Sequence, residues 1–75
     1  MALTTVEHDR YLERRVTSFL RERNVPGLRQ LQVEVQGGMV IVRGHLNSFY
    51  EKQLCQHAIQ RVAGVVSIVD EVTVA

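Results

Sequence analysis

Residues 30–44 read QLQVEVQGGMVIVRG, Gln30 to Gly44, and this stretch decides the fold. Leu31, Val33 and Val35 alternate with Gln32, Glu34 and Gln36, the period-2 pattern of a half-buried strand. Gly37-Gly38 supplies adjacent residues that can both take φ > 0, as a tight type I′ turn requires. Val40 and Val42 resume the alternation. If the loop is Gly37-Gly38 alone, Val35 faces Val40 and Val33 faces Val42, so the valines share one face. A one-residue slip would break that match. The predicted element is a β-hairpin whose apolar face must be covered from both ends of the chain.

Upstream, Thr4–Arg23 reads as a helix. Thr4 with Glu7 fits a capping box, and the acidic first turn suits the positive end of the helix dipole. Leu12, Val16, Phe19 and Leu20 fall on one stripe, with Asp9 and Arg23 at its ends. Asn24 and then Pro26-Gly27 end it, because proline biases Val25 away from the α region, and Leu28 is expected to tuck under the helix end. Downstream, His45–Ser48 reads as a short connection. Ser48 is the predicted N-cap of a second helix, with Glu51 completing a capping box. Leu54, Ala58 and Val62 form its inward stripe, flanked by Tyr50, Cys55 and Ile59. Ala58 is small enough for close helix–sheet approach, and Gly64 is expected to stop the helix in the left-handed cap position. The last strand is predicted over Val65–Val74. Asp70 interrupts its apolar parity, which points to a bulge or an edge position, since a buried unpaired carboxylate is costly.

The order is therefore αββαβ, an α+β two-layer sandwich. A right-handed crossover through the second helix sets the last strand parallel to the second. The simplest arrangement is a three-stranded mixed sheet of order 1-2-3 with both helices on one face; a fully antiparallel 2-1-3 sheet is the alternative. The 75 residues make a single domain over 1–75, its core expected over about 4–74 and near the lower limit for independent stability. Apolar residues are 45% of the chain, which disfavours disorder. Nine Lys/Arg against eight Asp/Glu argue against a general nucleic-acid binder, where a basic surface is expected. One cysteine excludes an intramolecular disulfide framework. MALTTVEHDR has neither a basic n-region nor an apolar h-region. Read as a complete chain it is expected in the cytoplasm; read as an excised domain, in the periplasm.

The run Gly38-Met39-Val40-Ile41-Val42-Arg43-Gly44, then Ser48 and Lys52, then Ala58, Val62 and Gly64-Val65, resembles the BON domain, a family named for bacterial osmotically inducible and nodulation-associated proteins. Val42 stands where leucine is usual and Gly37 where asparagine is frequent, while Asp70 falls where Asn or Asp is common. The resemblance runs from about Asp9 to Val74 and implies the same αββαβ order. It also implies a non-enzymatic module of envelope or stress-associated proteins that contacts phospholipid or other ligands, with no catalytic residue and no cofactor. The glycines and Ala58 are structural in that pattern.

The residues themselves offer no active site. Cys55 reads as a small core hydrophobe, since His57 is two positions away on a helix and points elsewhere. His8, His45 and His57 lack the short paired spacings of a metal site, with or without Cys55. Glu7, Asp9 and Glu13 read as a solvated helix face rather than an acid–base pair. Gly37-Gly38 lies between two strands and cannot place phosphate at a helix N-terminus. Gly44 is expected near Leu31 in the ladder, where a missing side chain permits a bend or close approach. A glycine-x-x-glycine clamp joining two helices, as in single-stranded RNA binders of the KH type, is absent from the sequence.

Surfaces remain. Arg10, Arg14 and Arg21 are candidate contacts for an anion, above all a phospholipid headgroup, although neighbouring carboxylates offset part of their charge. Met39, Ile41, Arg43, Val65 and Val69 are expected on the uncovered sheet face, where an apolar strip would suit a protein partner or a second copy of the chain. Pairing through the edge of the last strand is a further route. The expected function is a non-catalytic binding module for phospholipid or protein. The alternatives are a single-stranded nucleic-acid-binding domain and a purely structural homo-oligomerisation module.

Overall fold

The computed structural model of the chain describes residues 5–74. The elements are α1 (Thr5–Arg21), a 3₁₀ turn (Pro26–Gln30), β1 (Gln32–Gln36), β2 (Met39–Leu46), α2 (Phe49–Gln60) and β3 (Ser67–Val74). Sheet order is β1-β2-β3, with β1 antiparallel and β3 parallel to β2, so the mixed 1-2-3 arrangement holds. The hairpin register pairs Val35 with Val40 and Val33 with Val42, as the two-glycine loop demands. Gly37 and Gly38 take φ of 57° and 85°. Both helices cover the face carrying Val35, Val40, Val42 and Val72. Leu12, Val16 and Leu20 from α1, and Cys55, Ala58 and Ile59 from α2, complete the core with Leu28, Leu46 and Val62. Each fully buried Leu, Ile or Val side chain contributes roughly 1.5–3 kcal/mol of transfer free energy.

Several boundaries differ from the sequence reading. The first helix closes at Arg21 rather than Arg23, and Thr4 of the expected capping box lies outside the described residues. Val25 is extended (φ −126°, ψ 103°) before Pro26, and the chain then forms the 3₁₀ turn that inserts Leu28 into the core. The second strand runs on through His45 and Leu46, which were expected in a connection; Leu46 is fully buried. Parallel pairing explains the extension, because β3 offers Thr73 and Val74 as ladder partners for these residues. The last strand begins at Ser67, not Val65. Val66 instead donates its backbone N–H to the Gly38 carbonyl at 2.9 Å, tying the strand's entry to the hairpin turn.

The α2 N-terminus is capped as expected: Ser48 Oγ accepts from the Glu51 N–H at 3.2 Å. Glu51 Oε1 in turn accepts from the Asn47 N–H at 3.1 Å, one residue before the cap itself. At the other end Gly64 is not the cap. Arg61 occupies that position in right-handed conformation, the chain tightens into i→i−3 bonds from Arg61 and Val62, and Gly64 (φ 99°) turns it only afterwards. Asp70 introduces no bulge, since the parallel register runs unbroken from Met39↔Ser67 to Leu46↔Val74. It sits on the edge strand, turned towards α2. Its carboxylate accepts from Gln56 Nε2 and from the Val72 N–H at 2.9 Å, with Lys52 Nζ at 3.8 Å. An inward-facing charge that also takes an edge amide protects β3 against pairing with another sheet.

Candidate functional site

The uncovered sheet face follows from strand parity. Gln36, Met39 and Ser67 form one row, Glu34, Ile41 and Val69 the next, and Gln32, Arg43 and Glu71 the third. Arg43 bridges the face, its Nη1 donating to Glu34 at 3.0 Å and its Nε to Glu71 at 3.1 Å. These bonds hold the Arg43 guanidinium above its ordinary pKa. Bonds from Gln36 and Arg43 hold the Glu34 carboxyl below its own. At the far end His45 Nδ1 lies 3.0 Å from Thr73 Oγ1. Met39, Ile41, Arg43 and Val69 are therefore brought together as the alternation implied. Val65 is not: it precedes β3 and packs against the core between the layers. Nor is the strip as open as its composition suggests. Ile41 is only 8% exposed, while Val69 beside it is 37% exposed.

The helix layer carries the opposite character. Arg10, Arg14 and Arg21 recur at helical spacing on α1, away from the Leu12–Val16–Leu20 stripe, and line one shallow outward groove with Glu13, Thr17 and Ser18. Among the described residues, none of the three is held in an ion pair. Beside this groove, half-exposed Tyr11 has the Arg15 guanidinium 5.7 Å from its ring centre. Asp9 does not face water with its neighbours, since its Oδ2 accepts from the Gly37 N–H at 3.0 Å and locks the hairpin turn to α1.

Cys55 is buried, and burial pushes its thiol up to about 11, with the Asp70 charge adding to the effect. That is the direction opposite to an activated nucleophile. Among the described residues no group of three or more His, Cys, Asp or Glu side chains could hold a metal ion. No helix there is long and apolar enough to cross a membrane. What remains is a small αββαβ layer pair with glycines at the hairpin turn, in β2 and before β3, and the family model of the BON domain matches it over residues 8–75. The chain belongs to the BON domain family. No curated protein matches the sequence. In this BON domain the features left to describe are its surfaces: the open sheet face and the faces of the two helices.

One surface of this BON domain escaped the sequence reading. Leu54, expected in the inward stripe of α2, is only half-buried and stays out of the core, where Cys55 and Ile59 take its place. It lines a groove with Val25, Ala58, Arg23, His57 and Arg61, where the exit of α1 meets α2. Arg23 lies over the Phe19 ring at 4.4 Å, which fixes its guanidinium at the rim. The available signal was Arg61 following His57 and Leu54 at four- and three-residue spacing on one helix ridge. Tyr50, at the start of that ridge, and its neighbour Phe49 are both strongly exposed.

Proposed function

We propose that this BON domain docks on anionic phospholipid surfaces through the outward face of α1. The observation that carries the reading is the convergence of Arg10, Arg14 and Arg21, free of ion pairs among the described residues, on one outward helix face. Each arginine near an anionic leaflet contributes about 1 kcal/mol, so the three supply on the order of 3 kcal/mol, reduced by the carboxylate of Glu13 in the same groove. Tyr11 beside Arg15 adds an amphipathic ring at headgroup depth. Attraction of this kind falls off within a Debye length and weakens with salt.

The rival reading, association with a protein or a second copy across the open sheet, draws on Met39 and Val69. It has less support, because Ile41 between them is covered and the Glu34–Arg43–Glu71 bridge closes the strip on one side. Co-sedimentation with vesicles of phosphatidylglycerol and phosphatidylcholine, against phosphatidylcholine alone, tests the proposal. Binding to the anionic vesicles only, lost in high salt and lost in the Arg10→Glu/Arg14→Glu/Arg21→Glu variant, is expected. Equal binding to both vesicles, or full binding by the triple variant, refutes it.

A further inference from the structure

A groove separate from the α1 arginine face lies at the α1–α2 junction. We infer that it takes a free single-chain anionic amphiphile, one acidic headgroup on one alkyl chain, held with the headgroup between Arg23 and Arg61 and the chain along Leu54 and Ala58. The groove encloses about 330 Å³, within the usual range of small-ligand sites. Its lining divides by chemistry. Val25, Leu54 and Ala58 make an apolar floor, and Arg23, Asn24, His57 and Arg61 stand around it. No carboxylate lines the groove, and among the described residues neither Arg23 nor Arg61 has an ion-pair partner. The site is thus complementary to negative charge without an internal competitor.

Two further observations favour an amphiphile over a bare anion. The core does not use Leu54, so a half-exposed leucine sits beside the cations with nothing apolar to cover it fully. The ridge continues from Arg61 and His57 through Leu54 to the exposed Tyr50 ring, roughly 16 Å along the helix axis, the length of an extended acyl chain rather than of an inorganic ion. Arg23 is also prepared for a headgroup. Stacked on Phe19, its guanidinium has already lost much of its rotational freedom, so less ordering cost falls on binding. This site differs from the α1 arginine face in residues and in ligand: it receives one detached chain, not a bilayer.

The test is an NMR titration of the backbone amides with dodecanoate, and separately with dodecyl phosphate, both below their micelle concentrations. Dodecyltrimethylammonium supplies the same chain with the opposite charge, and acetate supplies the charge without the chain. Saturable shifts at Val25, Leu54, His57, Ala58 and Arg61 are expected with the two anionic amphiphiles and not with the two controls. Arg23→Gln, Arg61→Gln and Leu54→Gln should each weaken the dodecanoate affinity about tenfold, the factor for one lost charge-assisted hydrogen bond or buried chain contact. The same three variants should still sediment with phosphatidylglycerol vesicles, so failure of this site and failure of the membrane reading are separable. Comparable shifts with the cationic amphiphile or with acetate, shifts centred on Arg10, Arg14 and Arg21, or unchanged affinity in Arg23→Gln and Arg61→Gln each overturn the assignment.

Discussion

Replacing Gly44 by alanine should destabilise the domain substantially, through both backbone conformation and crowding. Gly44 lies within β2, third from its end, with φ at +148°, a region that residues with a side chain rarely adopt. Holding alanine there costs on the order of 1–3 kcal/mol. A Cβ at this position would also come within 2.6 Å of Leu31 Cδ2 and 3.4 Å of Leu31 Cα. The leucine tip can rotate away, so the low end of the overpacking range applies, about 1 kcal/mol. The sum is roughly 2–4 kcal/mol, against a total stability of about 4–11 kcal/mol for a chain this long. Gly37→Asn is the control. At φ +57° it is left-handed but has no atom within 4 Å of the added Cβ, and asparagine tolerates that conformation. Urea unfolding followed by circular dichroism reads both variants. With m near 1 kcal/mol/M for a small domain, Gly44→Ala should lose about 2 M or more in midpoint, and Gly37→Asn well under 1 M. Equal midpoints for the two variants, or a Gly44→Ala midpoint at the wild-type value, would show that φ and the Leu31 contact do not constrain the strand.

Ala58→Leu should cost about 1–3 kcal/mol by crowding a buried helix position, read as a lower urea midpoint. Asp70→Ala should lower stability by about 1–3 kcal/mol, since Gln56 and the Val72 amide lose their acceptor, and it should make the protein self-associate on sedimentation by unprotecting the β3 edge. An Asp70→Ala protein that stays monomeric at high concentration removes the edge-protection argument. The Cys55 thiol is raised from 9.0 to about 11 in the folded state, so the folded chain holds a proton that the unfolded chain gives up in between. Stability is therefore full below about pH 9 and falls as pH rises towards 11, by on the order of 2 kcal/mol. Cys55→Ala should lack that component of the alkaline decline, and a wild-type profile parallel to that of Cys55→Ala between those values contradicts the shift.

The hairpin and the α2 cap were legible in the sequence because each rests on short-range rules. Gly37-Gly38 admits one turn family, and that turn sets the register of Val33 and Val35 against Val42 and Val40. Ser48 and Glu51 meet within one helical turn. Strand order was only narrowed to 1-2-3 or 2-1-3, and the structure sets β3 beside and parallel to β2. Arg10, Arg14 and Arg21 shared a face for the same local reason, their spacing on one helix.

Other features depended on partners distant in sequence. Leu54 and Cys55 differ by only one helical step, and a short helix with apolar residues on several sides can roll either one inward. Packing against the sheet and α1 chose Cys55, and so left Leu54 to make the groove with Val25 and the two arginines. The length of β2 likewise had no local signal: Gly44 looked like an end, and Leu46 became core only because β3 runs alongside it. Val65 is apolar and adjacent to a strand, yet its place between the layers follows from where Val66 bonds to Gly38. Alternation placed Ile41 on the open face, yet the structure leaves it only 8% exposed. Local rules set what each segment becomes; which of its side chains meets water is settled where segments far apart in the chain compete for the same volume.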